Sequence, residues 1–561
     1  MTSPASALSG DLARAIASWT EQDPDPQTRQ QVDDLLTAAN ANDGHAIAEL
    51  VDAFSERLQF GTAGLRGALG PGPNRMNRIV VGQAAAALAT YLLDHGFAGG
   101  KVIIGFDARR NSDVFARDTA EIMSGAGFEA MITSGPLPTP VVAFGIRHFG
   151  CVAGVVVTAS HNPPQDNGYK VYLGDGSQIV PPADAEISAR IDEVAKHSLD
   201  DIPRSQSYMV LGPELVAAYL DRVASLVPPD APRELRWVYT PLHGVGGSLV
   251  EQVVEACRFP SAHVVAEQAK PDPSFPTVAF PNPEEPGAID LALASAQQIN
   301  ADLVIANDPD ADRCAIAAVI DGQWRMLRGD ELGVLLGEEA LQRGVRGTYA
   351  CSIVSSSLLS VIAAAYGQPF VYTLTGFKWI GRVPGLAYGY EEAIGYCVDP
   401  DAVPDKDGIS ALIRVLTLAA GLKADGLSVA DRLDEIAHRY GIYETDQMSV
   451  RVEDHKIITG AMARLRAHPP GMLAGQPTSV VDLAQGSAEL PPTDAVLITG
   501  ETIKVVVRPS GTEPKLKCYL EAHLPAARSL DVISARTEVR SVLATIRSET
   551  SAALGLTSPT L

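Results

Sequence analysis

The sequence predicts an α/β protein of three successive α/β units followed by a closing segment of different texture. Three observations carry this reading. Short apolar, β-branched runs, of which Val152–Val157 is the clearest, alternate with longer helix-period stretches, the pattern of strands and covering helices in a largely parallel sheet. A length of 561 residues calls for several domains, and a composition 46% hydrophobic and 20% charged is enough to give each a core. From about Asp446 the alternation gives way to short strands, notably Thr502–Val507 and Leu516–Ala522.

In chain order, Leu8 to about Leu58 reads as helical, with a polar break at Glu21–Pro26. Phe60–Gly67 is a glycine-punctuated loop ending at Arg66-Gly67. Glycines let backbone N–H groups approach a ligand and arginine grips phosphate with two parallel bonds; a turn with a solvated arginine is the plainer alternative. Met76-Asn77-Arg78 is a weaker anion candidate. A helix over Val80–His95, a strand over Lys101–Phe106, the polar loop Asp107–Ser112 and a further helix and strand lead to Gly135–Pro140.

Val152–Val157 then reads as a buried strand that Asn162-Pro163 brings to a stop, since proline lacks a donor and restricts its predecessor. Ser160 is left on a tight loop at the end of that strand, with His161 beside it and Lys170 brought back by Asn167–Lys170. A loop serine is ordinarily a cap or turn residue, so the rest of the chain must decide its role. The acidic, proline-rich passage Pro181–Ser207 reads as the exit from the first unit.

The second unit starts near Leu211. Its strand Trp237–Thr240 feeds a loop where His243 reads as structural, and Pro271–Pro286 is loop. The strand Ala301–Ala306 runs into Asn307-Asp308-Pro309-Asp310-Ala311-Asp312-Arg313. Carboxylates at i, i+2 and i+4 of an extended loop converge on a hard cation, and without a counter-ion they would repel one another. An EF-hand is ruled out by the missing glycine and distal glutamate; a solvated acidic turn is the other alternative. Three protein oxygens leave a Mg²⁺ octahedron unfinished, which suits an ion that also touches phosphate.

The third unit, from about Leu327, carries Arg328-Gly329-Asp330, then Lys378 within Thr375–Trp379, then Glu391-Glu392 within Tyr388–Tyr396. Paired glutamates in a turn can hold sugar hydroxyls, because each carboxylate accepts two donors. Asp405-Lys406-Asp407-Gly408 opens another helix. In the last segment Arg508-Pro509-Ser510-Gly511-Thr512-Glu513-Pro514-Lys515 offers a phosphate cradle, against the alternative of an ordinary turn.

The net charge of −23 argues against nucleic acid or an anionic membrane as partner, while leaving a small anionic substrate open. Six cysteines with no CxxC pair support neither a disulfide framework nor a zinc site and read as reduced thiols. With no basic-then-apolar leader and no long apolar run, the expectation is a cytoplasmic protein without a membrane span.

Taken together, Thr158–Pro163, Asp308–Arg313, the Glu391-Glu392 loop and Arg508–Thr512 resemble, in order, the four active-site motifs of the α-D-phosphohexomutases, over roughly residues 55–525. The resemblance is to the phosphoglucomutase/phosphomannomutase type, including its phosphopentomutase-like branch. It implies three similar α/β domains with mixed, largely parallel sheets plus a smaller C-terminal α+β domain. The expected boundaries are 1–55 for an N-terminal helical extension with no assigned role, 56–210 for a phosphoserine domain, 211–326 for a metal domain, 327–445 for a sugar domain and 446–561 for a phosphate-binding domain.

The resemblance further implies Ser160 as phosphoserine carrier, its phosphate completing a single Mg²⁺ shell made by Asp308, Asp310 and Asp312. His161, Arg66 and Arg313 would stabilise the transferring phosphoryl group, and Lys170 would act as general acid/base, a nearby cation lowering its pKa. Glu391, with Glu392 and Lys378, would hold sugar hydroxyls; Arg508, Ser510, Gly511 and Thr512 would bind the non-reacting phosphate. The implied reaction interconverts sugar 1- and 6-phosphates through a bisphosphosugar, with added sugar bisphosphate as activator. Glucose ranks first, mannose close behind, and ribose 1-phosphate/5-phosphate is the alternative. Ala393 stands where the hexomutase loop usually carries serine, which leaves all three sugars open. A phosphatase and a non-catalytic sugar-phosphate sensor are the competing classes, and the intact serine and aspartates weigh against the sensor. Oligomeric state and the phosphorylation state of Ser160 are not legible in the sequence.

Overall fold

A computed structural model describes residues 8–61, 64–452, 455–510, 515–527 and 531–556. The chain divides into two compact units. One comprises residues 1–228, 236–314 and 401–413; the other comprises 229–235, 315–400 and 414–561.

The first unit opens with three helices, Gly10–Gln22, Pro26–Asn40 and Gly44–Ser55, each started by a side-chain cap from Ser9, Asp25 or Asp43. Their apolar stripes (Ile16, Trp19, Val32, Leu50, Phe54) form a cluster that also takes in Ile79 and Leu199. The extension is thereby packed into the domain that follows it.

Next comes a six-stranded sheet of β1 (Gly64–Ala68), β2 (Lys101–Phe106), β3 (Glu129–Thr133), β4 (Ala153–Val157), β5 (Asp166–Leu173) and β6 (Met209–Leu211), in spatial order β1-β5-β4-β2-β3-β6. β2, β3, β4 and β6 pair in parallel, while β5 runs antiparallel to both β4 and β1, so the sheet is mixed. β4 is buried at every residue, as a strand covered on both faces must be. Pro181–Ser207 is not merely an exit. It contains the helix Ala183–Val194, whose Ala183, Ile187 and Ile191 enter the first core at helical spacing. The proline-rich start masked a helix that those prolines only precede.

In the second α/β region β7 (Trp237–Thr240) pairs in parallel with both β8 (His263–Val264) and β9 (Leu303–Ala306). Residues 401–413 return to this unit: Gln178 Nε2 donates to Asp405 at 2.9 Å and the Tyr219 hydroxyl to Asp407 at 2.8 Å.

The second unit contains a hairpin, β10 (Ala315–Ile320) with β11 (Gln323–Met326), then β12 (Thr348–Ser352) flanked in parallel by β13 (Phe370–Thr373) and β14 (Leu386–Glu391), with β15 (Gly395–Cys397) antiparallel to β14. The strand-rich end begins earlier than its texture suggested, with the long, largely polar β16 (Ile442–Arg451). A small hairpin of β17 (Met472–Leu473) and β18 (Gln476–Pro477) precedes β19 (Ser479–Asp482), β20 (Val496–Thr499), β21 (Ile503–Pro509) and β22 (Lys515–Leu524). These last four join β16 in an antiparallel sheet of order β16-β22-β21-β20-β19. One face of it packs on the helices His455–Ala467 and Val532–Leu554, an α+β arrangement. All six cysteines are buried free thiols. No described helix is long and apolar enough to cross a membrane.

Candidate active site

Ser160 sits one loop beyond β4 with φ of 52°, in the left-handed region that costs a non-glycine residue about 1 kcal/mol or more. The surroundings hold it there. Arg109, itself buried, donates to four carbonyls of the same loop: Ser160 O and Asn162 O at 2.6 Å each, Pro163 O at 2.9 Å and Asp166 O at 3.2 Å. Asp107 accepts from the Thr158 hydroxyl at 2.6 Å, and that hydroxyl in turn accepts from Ser160 N at 2.8 Å. The Asp107–Ser112 loop, read from sequence only as polar, is thus the scaffold of the serine.

Strand pairing brings the next residues in. Lys170 on β5 lies opposite Val156 on β4, and Arg66 on β1 lies opposite Gly168 on β5. Arg66 Nη1 donates to Asn162 Oδ1 at 3.2 Å. The close approach needs glycine: a Cβ on Gly168 would lie 2.5 Å from Thr158 O.

The aspartates follow β9 directly. Asn307 anchors their loop, accepting from the Tyr239 hydroxyl and donating to Arg313 O, and Gly408 packs on the loop so closely that its Cβ would lie 2.2 Å from that carbonyl. Asp308, Asp310 and Asp312 are fully buried and can each present an oxygen within 4.8 Å of the others. Ser160 Oγ donates to Asp308 Oδ2 at 2.7 Å and lies 3.2 Å from His161 Nδ1. Lys170 Nζ donates to Asp310 at 2.7 Å and Asp312 at 2.9 Å; Lys406 Nζ also reaches Asp312 at 2.9 Å, and the Thr139 hydroxyl reaches Asp310. Yet Asp310 Oδ1 and Asp312 Oδ1 are buried with no hydrogen-bond partner among the described residues. Such oxygens are costly to leave unmatched, and a hard divalent cation is the group that an all-oxygen set of this kind suits.

The charges follow from this crowding. Burial, then the Asp310 and Asp312 charges, push the Asp308 carboxyl well above the carboxylate range. Burial alone would raise Asp312 too, but Lys170, Lys406 and Arg313 overcome it and hold that group well below. Burial would lower Lys170; the carboxylates of Asp310 and Asp312 win and raise it. This is opposite to the cation-depressed lysine expected from sequence, because the nearest charges are acids. Burial, reinforced by Arg313 and Arg66, drives His161 far below the usual imidazole value, so it is neutral at physiological pH.

The other expected residues lie in the second unit. Glu391 ends β14, and its Oε1 accepts from Gly376 N at 2.7 Å. Glu392 Oε2 accepts from the Ser352 and Ser355 hydroxyls at 3.0 and 3.1 Å. Lys378 is the second residue of a short helix, Phe377–Ile380, with its Nζ 5.4 Å from the Trp379 ring centre. Arg508 lies near the end of β21 and Ser510 just past it, and Tyr519 on β22 feels the charges of Glu392, Arg508 and Glu391, which brings sugar loop and phosphate strand into one neighbourhood. Gly511 and Thr512 lie outside the described residues. Sequence reasoning missed Arg109, Thr139 and Lys406. The first was visible as Asp107-x-Arg109 after a strand; nothing local marks the other two.

Sequence models of the phosphoglucomutase/phosphomannomutase α/β/α domains I, II and III match residues 57–198, 217–319 and 328–440, and that of the C-terminal domain matches 448–537. A Haemophilus influenzae protein named "Probable phosphomannomutase" is 47% identical over 478 residues, 83% of this chain and 98% of that one. The "Phosphopentomutase" of Homo sapiens is 35% identical over 573 residues, 92% of each chain. The crystal structure of a phosphoglucomutase/phosphomannomutase family protein from Burkholderia thailandensis shares the fold with a TM-score of 0.69 at 20% identity, covering 89% of this chain and 98% of that one. Matched through all four domains and along nearly the full length of these relatives, the chain belongs to the phosphoglucomutase/phosphomannomutase family and is an enzyme of the mutase, intramolecular phosphotransferase, class.

Proposed function

We propose that the enzyme interconverts sugar 1-phosphates and 6-phosphates, glucose first and mannose close second, with Ser160 carrying the phosphate between substrates. The observation that carries this is the Ser160 hydroxyl, 2.7 Å from Asp308 beside two buried carboxylate oxygens that lack partners among the described residues. Asp308, Asp310 and Asp312 would hold one Mg²⁺ together with the phosphoserine, and that ion would neutralise charge on the phosphoryl oxygens. Arg66 and Arg313 would stabilise the same oxygens as fixed cations. Neutral His161 serves as a hydrogen-bond partner of the Ser160 oxygen. Lys170 enters in its acid form and protonates the sugar oxygen that departs when substrate phosphate passes to Ser160; in the opposite transfer the same nitrogen takes up the hydroxyl proton. Glu391, Glu392 and Lys378 would bind sugar hydroxyls, and Arg508 and Ser510, with Gly511 and Thr512, the phosphate at rest. A sugar bisphosphate is then both the intermediate and the activator that recharges Ser160.

A second reading, mutase activity on ribose 1-phosphate, is favoured by one feature. Glu392 is already engaged by Ser352 and Ser355, and Ala393 adds no hydroxyl, so the loop offers few ring contacts. The 35% identity to a protein named phosphopentomutase supports the same reading.

The deciding assay follows turnover of glucose 1-phosphate, mannose 1-phosphate and ribose 1-phosphate with Mg²⁺ and a trace of the matching bisphosphate. Turnover that disappears in Ser160→Ala is expected, and the order of kcat/KM values names the sugar. A Ser160→Ala enzyme that keeps its rate would sink the phosphoserine mechanism.

A further inference from the structure

We infer that Lys504 and Glu521 of the C-terminal sheet are positioning residues for the sugar loop, gripping the Ser352–Ser357 turn that holds Glu392 and so tying sugar recognition to the strand that leads to Arg508. The inference rests on the reading that Glu391 and Glu392 bind sugar hydroxyls.

Lys504 on β21 and Glu521 on β22 are cross-strand partners. Both reach the same short turn. Lys504 Nζ donates to Ser355 O at 2.5 Å and lies 5.4 Å from the Tyr372 ring centre. Glu521, only 2% exposed, accepts from Ser357 N at 2.7 Å and from the Ser357 hydroxyl. A carboxylate buried this deeply must be matched, so these bonds are held rather than incidental. The gripped turn in turn holds the sugar loop: the Ser352 and Ser355 hydroxyls donate to Glu392 Oε2, Ser355 Oγ accepts from Glu392 N at 3.1 Å, and Ser356 N donates to Asp330, which also receives the Tyr390 hydroxyl.

The period of the sheet explains why the grip and the phosphate strand go together. Side chains two apart share a face. Val505 and Val507 face the helices of the C-terminal core, whereas Val506, with Tyr519 across the ladder, packs on Ile353 and Val354 of the turn. Lys504, Val506 and Arg508 therefore lie on the face that meets the turn, and Tyr519 and Glu521 do the same on β22. A strand fixed by Lys504 at one end presents Arg508 at the other, so the Glu392 carboxylate and Arg508 are set by one rigid piece.

The test is a double-mutant cycle in the full chain with glucose 1-phosphate. Lys504→Met is expected to raise KM about tenfold with kcat changed by less than about threefold, while Lys504→Arg restores most of the affinity. In a Glu392→Gln background the same change should shift KM by less than about twofold, because both substitutions act through one contact. Glu521→Gln, which keeps an acceptor for Ser357, supplies the same comparison should Lys504→Met not fold. Equal KM shifts in both backgrounds, or none from either variant, would overturn the inference. A Glu392→Gln enzyme with unchanged KM would instead overturn the reading of the sugar loop itself.

Discussion

Arg109 shows how much of this site depends on single side chains that hold the serine loop in place. Its two terminal nitrogens serve four carbonyls around Ser160, a fork that lysine cannot reproduce with one ammonium. Arg109→Lys should lower kcat at least about tenfold and cost about 2 kcal/mol of stability, since bonds to a charged donor are worth about 1.5–3 kcal/mol each. Mutase rates and thermal melts check it; an unchanged rate would mean that the loop holds its strained serine without help. Asp330 gives a pH signature. Burial, against the Ser356 N–H bond, pushes its carboxyl up to about 6. A carboxyl whose folded pKa is raised favours the folded state while protonated, so its contribution is present below the ordinary carboxylate value and is lost as pH rises through about 6. Asp330→Asn keeps the acceptor for Ser356 and removes the titration. Its melting temperature relative to wild type should therefore be more favourable at pH 7.5 than at pH 5, and a difference independent of pH would show that Asp330 is not strained by its charge.

At the scale of the element, β5 does the assembling. It runs antiparallel between β4 and β1, so one strand brings Lys170 beside the serine loop and sets Arg66 across from Gly168. That packing leaves no room for a side chain at Gly168, where a Cβ would meet backbone oxygens at 2.5 and 3.0 Å. Gly168→Ala should cost about 1–3 kcal/mol by overpacking and lower kcat, because the strain falls between Arg66 and Thr158. Denaturant melts and a rate assay test it, and full stability with full activity would refute the tight fit. Ser160, the aspartate run and the strands feeding them were legible in the sequence, because each is a local signal: a buried β-branched run, a proline stop, carboxylates at alternating positions. The helix Ala183–Val194 and the polar strand β16 were not. The first hides behind prolines, and the second derives its stability from pairing with β22 along its whole length rather than from its own pattern.

For the whole molecule, the N-terminal extension is a structural part of the first unit. Its helices cover Ile79 and Leu199, Asn74 N donates to Ala53 O at 3.0 Å, and the Cβ of an alanine at position 72 would strike the same carbonyl at 2.5 Å. Removing residues 1–55 would expose apolar side chains worth about 1.5–3 kcal/mol each and should lower the melting temperature by about 5 °C or more. A truncated enzyme as stable as the full chain would show the extension to be dispensable.

The amino-acid sequence alone determined the α/β alternation, the change of texture near the C-terminus, the serine loop and the three aspartates. Those depend on neighbours in the chain, where periodicity and turn chemistry act. Only the tertiary structure decided that Arg109 scaffolds the serine, that Lys406 joins Lys170 on Asp312, that Lys170 is held charged rather than neutral, and that Lys504 and Glu521 grip the turn behind Glu392. The physical reason is distance along the chain. Burial and the charge of residues far apart in sequence set these interactions, and no local pattern encodes either.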